Sequence, residues 1–286
     1  MILEIIFIII GFILLVKGAD FLLKSATSIA KKFGLSETII GLTVVAIGTS
    51  LPEIFITITS SINGHSDLII GNAIGSCICN FLLVLGISAL VKRVKFDKRI
   101  VKTHIPICII AMCLVLLLGN ITKLEESYII NRWQGVILLF CAIGYIVYTI
   151  YEEKTIKNKT IEKEIIEEVE LKEINSGVII VIYLILGILG LKFGSNFVVD
   201  NSILIAEKFG LSENIIGMTI IAVGTALPEI ITGIIAAKRN ETDLLLGNIT
   251  GSNILNLLLL IGLGAVISPI KLMSNFNMTM LVLIAV

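Results

Sequence analysis

Residues 48–53 read GTSLPE and lie inside the apolar run IIGLTVVAIGTSLPEIFITITSSI (39–62). A second stretch, GTALPE at 224–229, has an equally apolar setting. Proline lacks a backbone donor and its ring crowds the carbonyl four residues earlier, so Pro52 and Pro228 interrupt any helix that contains them. A glutamate follows each proline. The combination predicts a broken membrane helix whose irregular backbone is buried in protein or lines a watery cavity.

The composition places both stretches in a membrane protein. The chain has 286 residues, of which 56% are hydrophobic and 15% charged, and its mean hydropathy is +1.04. A net charge of zero gives no sign of a nucleic-acid partner, and the five cysteines lie in apolar segments where reduced thiols act as small hydrophobic groups. Apolar runs long enough to cross roughly 30 Å of hydrocarbon recur along the chain. We therefore predict an all-α polytopic membrane protein with spans at 3–22, 38–62, 68–91, 101–119, 130–151, 178–199, 214–237, 244–267 and from 277.

An internal repeat divides the chain into two halves. A shift of 176 residues places GLTVVAIGTSLPEI (41–54) on GMTIIAVGTALPEI (217–230) and DLIIGNAIGSCICN (67–80) on DLLLGNITGSNILN (243–256). The first half has five spans, an odd number, so the second half enters the bilayer in the opposite direction. This predicts an inverted-topology repeat with a substrate site near the midplane. The expected divisions are a first repeat at 1–151, a cytoplasmic linker at 152–176, and a second repeat at 177–286 that is incomplete at its C-terminus.

Basic residues predict the orientation. With the N-terminus outside, the inner loops hold 16 lysines and arginines and the outer loops hold 5. Since cytoplasmic loops carry an excess of such residues, we expect a multi-pass protein of the cell membrane with its N-terminus outside. The linker, rich in glutamate and lysine, is expected to be solvated and partly helical.

Polar side chains of the repeated motifs share helical faces, because residues four apart lie above one another. The pairs are Thr49 with Glu53, Ser76 with Asn80, Thr225 with Glu229, and Ser252 with Asn256. Inversion of the halves brings the four pairs around one centre, together with carbonyls near 46–48 that the proline frees. All these ligands are hard oxygen donors, which favour Ca²⁺ or Na⁺ over Zn²⁺ or Cu²⁺. Two carboxylates balance the charge of one Ca²⁺.

At these motifs the chain resembles the sodium/calcium exchanger family of the cation/calcium exchanger superfamily, in its prokaryotic form. The resemblance covers signature regions at 41–90 and 217–267 and implies antiport of Na⁺ against Ca²⁺ by alternating access, with both ions as substrates. No cofactor and no enzymatic activity are expected. The first span and 178–199 would slide against the other helices. The implied ion ligands are the carbonyls of Ala46 and Ala222 and the side chains of Thr49, Ser50, Glu53, Ser76, Asn80, Thr225, Glu229, Ser252 and Asn256.

The sequence departs from the family pattern at two positions and leaves two alternative functions open. Ala226 stands where the first copy has Ser50, so one hydroxyl implied for Na⁺ is missing. Asn256 stands where potassium-dependent relatives carry Asp, which argues against K⁺ co-transport. Clustered carboxylates also bind protons, so Ca²⁺/H⁺ antiport is the first alternative; a passive channel or a cation sensor is the second. The motifs GNAIGS (71–76) and GNITGS (247–252) lack the acid that proton-coupled relatives place there, which favours Na⁺.

Overall fold

The computed structural model describes residues 2–124, 127–160, 176–210, 222–272 and 274–286. Within these ranges the chain is mostly helical. The helices are α1 (Ile2–Phe33), α2 (Glu37–Thr49), α3 (Leu51–Ile62), α4 (Ser66–Val91), α5 (Ile100–Gly119), α6 (Arg132–Thr160), α7 (Gly177–Lys208), α8 (Ala222–Thr225), α9 (Leu227–Lys238), α10 (Thr242–Ile267) and α11 (Phe276–Ala285).

The prediction of an all-α polytopic membrane protein is confirmed. Six described helices are long and apolar enough to cross a bilayer, and α2 with α3 forms a further span bent by 48°. Helices suit this environment because they satisfy their backbone hydrogen bonds internally. In the most apolar stretch of α10, 83% of the residues are buried, compared with 22% in α1 and α7. Helix α10 is therefore central, whereas α1 and α7 are peripheral. The first part of the predicted span at 214–237 lies outside the described residues.

Contacts between the two copies follow the inverted repeat. A Cβ built on Gly18 would lie 2.7 Å from the Leu191 nitrogen, and a Cβ built on Gly194 would lie 2.8 Å from the Leu15 nitrogen. Each contact is the image of the other under the shift of 176 residues. Such reciprocal contacts arise when a two-fold axis relates the copies, and the axis passes between α1 and α7 at the level of residues 16–17 and 192–193.

Glycines allow close approach at two helix interfaces. Along α1 and α7, Gly18 and Gly187 each face the backbone of the other helix at under 3 Å from a built Cβ. Along α2 and α10, a Cβ on Gly247 would lie 2.5 Å from the Thr38 carbonyl, and one on Gly251 would lie 2.5 Å from the Leu42 carbonyl. Small residues at such interfaces let helix backbones meet, and dispersion contacts then hold the helices together within lipid. The helices of the α1–α7 pair and of the α2–α10 pair thus meet backbone to backbone.

Three short strands form a small sheet that the sequence pattern did not predict. They are β1 (Lys123–Leu124), β2 (Ser127–Ile130) and β3 (Ile270–Lys271), paired antiparallel in the order β1-β2-β3. Strands of two to four residues are too short to show an alternating pattern. The sheet joins the connection after α5 to the connection after α10, and the Lys271 N–H donates to the Ser66 hydroxyl at 3.0 Å. It therefore ties the two halves together at one end of the bundle.

The other end, where α6 finishes and α7 begins, is called here the linker end. Glu153 was expected in a solvated linker, but it is buried at the end of α6. Its carboxylate accepts hydrogen bonds from the Ser36 N–H at 2.6 Å and from Arg99 at 2.9 Å. Burial raises the pKa of nearby Asp97, but donors from Arg99 and Thr38 outweigh it and lower the pKa below its usual value. Residues 161–175 of the predicted linker lie outside the described residues.

One position in the orientation argument was misplaced. Lys192 was counted with the outer loops, but it lies in the middle of α7. Removing it from the outer count strengthens the bias of basic residues toward the linker end.

Candidate cation site

The proline of each repeated motif breaks its helix in the same way. Ser50 separates α2 from α3 with φ −83° and ψ 5°, and Ala226 separates α8 from α9 with φ −89° and ψ 0°. These backbone angles are nearly identical although the side chains differ. Because proline cannot donate a backbone hydrogen bond, the turn before it opens and the next helix starts in a new direction. The predicted interruption of helical bonding is confirmed at both copies.

The carbonyl groups near the breaks have different partners in the two copies. The Gly224 carbonyl, which Pro228 leaves without its helical donor, accepts a hydrogen bond from the Ser195 hydroxyl of α7 at 2.8 Å. The repeat image of Ser195 is Ala19, which has no hydroxyl. In the first copy, the Ala46 carbonyl accepts from the Ser50 N–H at 3.1 Å and from the Thr49 hydroxyl at 3.4 Å, so it is not free as the sequence predicted.

The two carboxylates lie inside the protein. Glu53 is 1% exposed and Glu229 is 4% exposed. In each, Oε2 is buried without a hydrogen-bond donor among the described residues. A buried carboxylate oxygen without a donor is costly, and a cation between the two groups would offset that cost.

Thr49 links the two copies at this point. Its hydroxyl lies 3.4 Å from the Ala46 carbonyl of its own copy and 3.3 Å from Asn248 Oδ1 of the opposite copy. The Ser252 hydroxyl lies 3.4 Å from the same amide oxygen. A hydroxyl has one proton and two lone pairs, so both groups can turn an oxygen toward a cation. The inversion therefore brings first-copy and second-copy ligands together, as the sequence predicted.

Asparagines of α4 and α10 surround the carboxylates with an uneven set of hydrogen bonds. The Asn80 amide donates to Asn253 Oδ1 at 2.9 Å. The Asn253 amide in turn donates to the carbonyl of Cys77, its own repeat image, at 3.4 Å. The image of Asn80, Asn256, has a buried Oδ1 with no donor among the described residues. One amide is thus engaged within the protein, and the other presents an oxygen to the centre.

The predicted ligands differ in how deeply the structure buries them. Ser76 and Thr225 are only partly buried, and for Ala222 the structure describes the backbone alone. The fully buried members of the predicted set are Ala46, Thr49, Ser50, Glu53, Asn80, Glu229, Ser252 and Asn256.

Sequence reasoning missed four polar residues near the centre, namely Asn72, Asn248, Asn253 and Ser195. The first two occupy equivalent positions in the repeated GN motif, so their identity in both copies was a usable signal. The Asn72 amide donates to the Glu53 carbonyl at 3.3 Å, whereas Asn248 contacts Thr49 and Ser252. Asn253 and Ser195 differ from their repeat images, and no pattern in the sequence pointed to them.

The chemistry of this centre fits a hard cation. Buried acceptor oxygens without a donor among the described residues include those of Ser50, Glu53, Glu229 and Asn256. Within the described ranges, no group of three or more His, Cys, Asp or Glu side chains is placed to hold a metal ion. The site thus combines two carboxylates with neutral hydroxyl, amide and carbonyl oxygens, the ligand set that Ca²⁺ prefers and that Na⁺ shares.

Fold and site together are those of a multi-pass membrane transporter, with an inverted repeat around a candidate cation site. The family model described as sodium/calcium exchanger protein matches residues 3–151 and 179–286. The chain therefore belongs to the sodium/calcium exchanger protein family, which consists of transporters rather than enzymes. This membership supports exchange of Ca²⁺ against another cation.

Individual relatives agree with this assignment. The putative antiporter CaxA of Alkalimonas amylolytica is 37% identical over 266 residues, which cover 92% of this chain and 81% of that protein. The sodium/calcium exchanger MaX1 of Methanosarcina acetivorans is 32% identical over 92% of this chain and 83% of its own length. A solved structure of the sodium-calcium exchanger NCX_Mj superimposes with a TM-score of 0.82 at 33% identity, covering 99% of this chain and 88% of that one.

Proposed function

We propose that this protein is a secondary active antiporter that exchanges Na⁺ for Ca²⁺ by alternating access. The observation that carries the proposal is the buried pair Glu53 and Glu229, each with one carboxylate oxygen that has no hydrogen-bond donor in the described part of the chain. Two negative charges balance one Ca²⁺ or two Na⁺. Because the same oxygens serve both ions, occupancy by one excludes the other, and this competition is what an exchanger needs.

Na⁺ coupling is supported by the neutral ligands beside the carboxylates. Ser50, directly at the first helix break, has a buried hydroxyl with no hydrogen-bond partner among the residues that the structure describes. At the second break Ala226 has no hydroxyl to offer. The two flanking positions therefore differ, and we infer that Na⁺ binds more strongly on the Ser50 side.

The moving part in this proposal is the pair formed by α1 and α7. Glycines 11, 18, 187, 190 and 194 place the two backbones in direct contact, so the helices would move together. The Asp20–Arg239 ion pair and the Ser195–Gly224 hydrogen bond connect this pair to the rest of the bundle. A few polar contacts can break and re-form during sliding more readily than the glycine contacts within the pair.

We propose that the protein lies in the cell membrane with its N-terminus outside and its linker end in the cytoplasm. The support is the excess of lysine and arginine in loops at the linker end. The exchange would then move Ca²⁺ and Na⁺ across the cell boundary.

The first experiment measures Ca²⁺ uptake by the full chain in liposomes loaded with Na⁺. Choline replaces external Na⁺, the pH is equal on both sides, and a protonophore is present. We expect uptake that requires internal Na⁺. Uptake that ignores Na⁺ but follows an imposed pH gradient without protonophore would replace the proposal with Ca²⁺/H⁺ antiport.

A substitution tests the site. Glu53→Gln keeps the size of the side chain but leaves one negative charge to face Ca²⁺, so Ca²⁺ flux should fall to background. Glu152→Gln, at the linker end of α6, is the matched control and should retain flux. Near-normal flux in Glu53→Gln at equal protein incorporation would remove this residue from the site.

A further inference from the structure

A lysine occupies the middle of α7. Lys192 is halfway along the helix Gly177–Lys208. The reciprocal contacts of Gly18 with Leu191 and of Gly194 with Leu15 place the pseudo-two-fold axis at the level of residues 16–17 and 192–193. In an inverted repeat this axis lies in the plane of the membrane. Lys192 is therefore at the depth of the bilayer midplane, where a charged side chain is costly and usually functional.

The Lys192 ammonium is directed toward α3. It lies 4.6 Å from the centroid of the Phe55 ring, within the range of a cation–π interaction. Among the residues that the structure describes, Lys192 forms no ion pair. Its positive charge is thus offset only partly, by the ring of Phe55, which is 53% exposed and lies on the opposite face of α3 from the buried Glu53.

The neighbours of Lys192 on α7 place it between the two helix breaks. A Cβ built on Gly48 would lie 3.6 Å from Ile188 Cγ1, and the Ser195 hydroxyl bonds the Gly224 carbonyl. Ile188, Lys192 and Ser195 are spaced by four and three residues and so share one face of α7. This face runs past the first break and the second, with the lysine between them.

The repeat shows that only the second copy carries this charge. The images of Lys192 and Phe55 are Val16 and Ile231, both apolar. Another lysine, Lys17, lies at the same level of α1, but it is exposed. Lys17 therefore shares the depth and the charge of Lys192 without its position between the breaks.

We propose that Lys192 is a specificity-determining residue, a fixed positive charge that weakens cation binding at the carboxylate pair and weakens Ca²⁺ binding more than Na⁺ binding. The Coulomb energy between Lys192 and a bound ion is proportional to the charge of that ion. The factor by which Lys192 lowers the affinity for Ca²⁺ is therefore the square of the factor by which it lowers the affinity for one Na⁺. This inference rests on the proposed function only in that Ca²⁺ and Na⁺ compete for one site.

The test compares Lys192→Met, Lys192→Gln and Lys192→Arg with Lys17→Met. Binding of radioactive Ca²⁺ to the purified full chain in detergent gives the Ca²⁺ affinity, and displacement by Na⁺ gives the Na⁺ affinity. Removing the charge should raise Na⁺ affinity about threefold and Ca²⁺ affinity about tenfold. Lys192→Arg and Lys17→Met should both match the unsubstituted protein.

Equal factors for Ca²⁺ and Na⁺, or unchanged affinities in both neutral variants, would overturn the proposal. The same holds if Lys192→Arg behaves like Lys192→Met, because the effect would then follow packing and not charge. Two neutral variants are used so that a folding defect in one leaves the other to decide. Since binding is measured without transport, a protein that shows the squared relation but no Na⁺-driven flux would retain this inference and refute the proposed antiport.

Discussion

The ion pair between Asp20 and Arg239 joins the α1–α7 pair to α9 on the side nearer the linker end. Asp20→Asn would remove it while keeping the size of the side chain. The repeat images of the two residues are Asn196 and Asn63, which are uncharged, so no equivalent ion pair can form there. We therefore expect the substitution to favour the arrangement in which the bundle opens at the linker end.

The free energy that this ion pair contributes follows from its partial burial. The side chains of Asp20 and Arg239 are 27% and 22% exposed, so water screens the pair only in part. Exposed pairs contribute less than about 1 kcal/mol and buried ones more, which places this pair at about 1–2 kcal/mol. Glu241 lies 4.0 Å from Arg239 and can retain part of the interaction. A shift of this size changes the ratio of the two arrangements about 5–30-fold.

Hydrogen exchange followed by mass spectrometry measures that ratio. Peptides covering the end of α9 should exchange faster in Asp20→Asn by about 5–30-fold if opening limits exchange there. Lys24→Met is the matched control, since Lys24 pairs with Asp20 at 2.9 Å within α1 and does not bridge the two groups of helices. Equal exchange in Asp20→Asn and the unsubstituted protein would refute the idea that this pair holds the linker end closed.

Three further predictions address other contacts. Ser195→Ala removes the hydrogen bond to the Gly224 carbonyl, which contributes about 0.5–1.5 kcal/mol, and should accelerate Ca²⁺ turnover in liposomes. Unchanged turnover would contradict the proposal that this bond restrains the α1–α7 pair. Gly247→Ala should destabilise the protein by about 1–3 kcal/mol and lower its thermal unfolding temperature, because the new methyl group would lie 2.5 Å from a backbone oxygen. Gly144→Ala, whose methyl group would have no described atom within 4 Å, should leave that temperature unchanged. Burial raises the pKa of Glu241 to about 7, so folding favours its protonated form and stability should fall as the pH rises from about 4.5 to 7. Glu241→Gln should flatten that part of the pH profile of thermal unfolding, and an unchanged slope would assign it to another group.

Much of the architecture follows from local chemistry that the sequence states directly. Pro52 and Pro228 break their helices because a missing N–H and a steric clash act within four residues, whatever surrounds them. The two halves are recognisable because a fixed offset of 176 residues preserves polar residues in apolar runs. Helical periodicity places Ser252 and Asn256 on one face of α10, and the odd number of spans predicts the inversion of the second copy.

Other features depend on how the two copies meet. Cys77 contacts its own image Asn253 where the pseudo-axis passes through the bundle. Near it, the Asn80 amide is engaged by Asn253, whereas Asn256 Oδ1 has no donor within the described ranges. Ser195 differs from its image, so the repeat could not mark it.

The sequence by itself determined the class of protein, its repeat and the residues that carry charge into the membrane. Only the tertiary structure decided which of these residues meet, how deep Lys192 lies, and which polar contacts join the α1–α7 pair to the other helices. The physical reason is the distance along the chain over which each interaction acts. Backbone hydrogen bonding and helical periodicity act over a few residues, whereas the depth and the partner of a side chain depend on helix packing between segments more than a hundred residues apart.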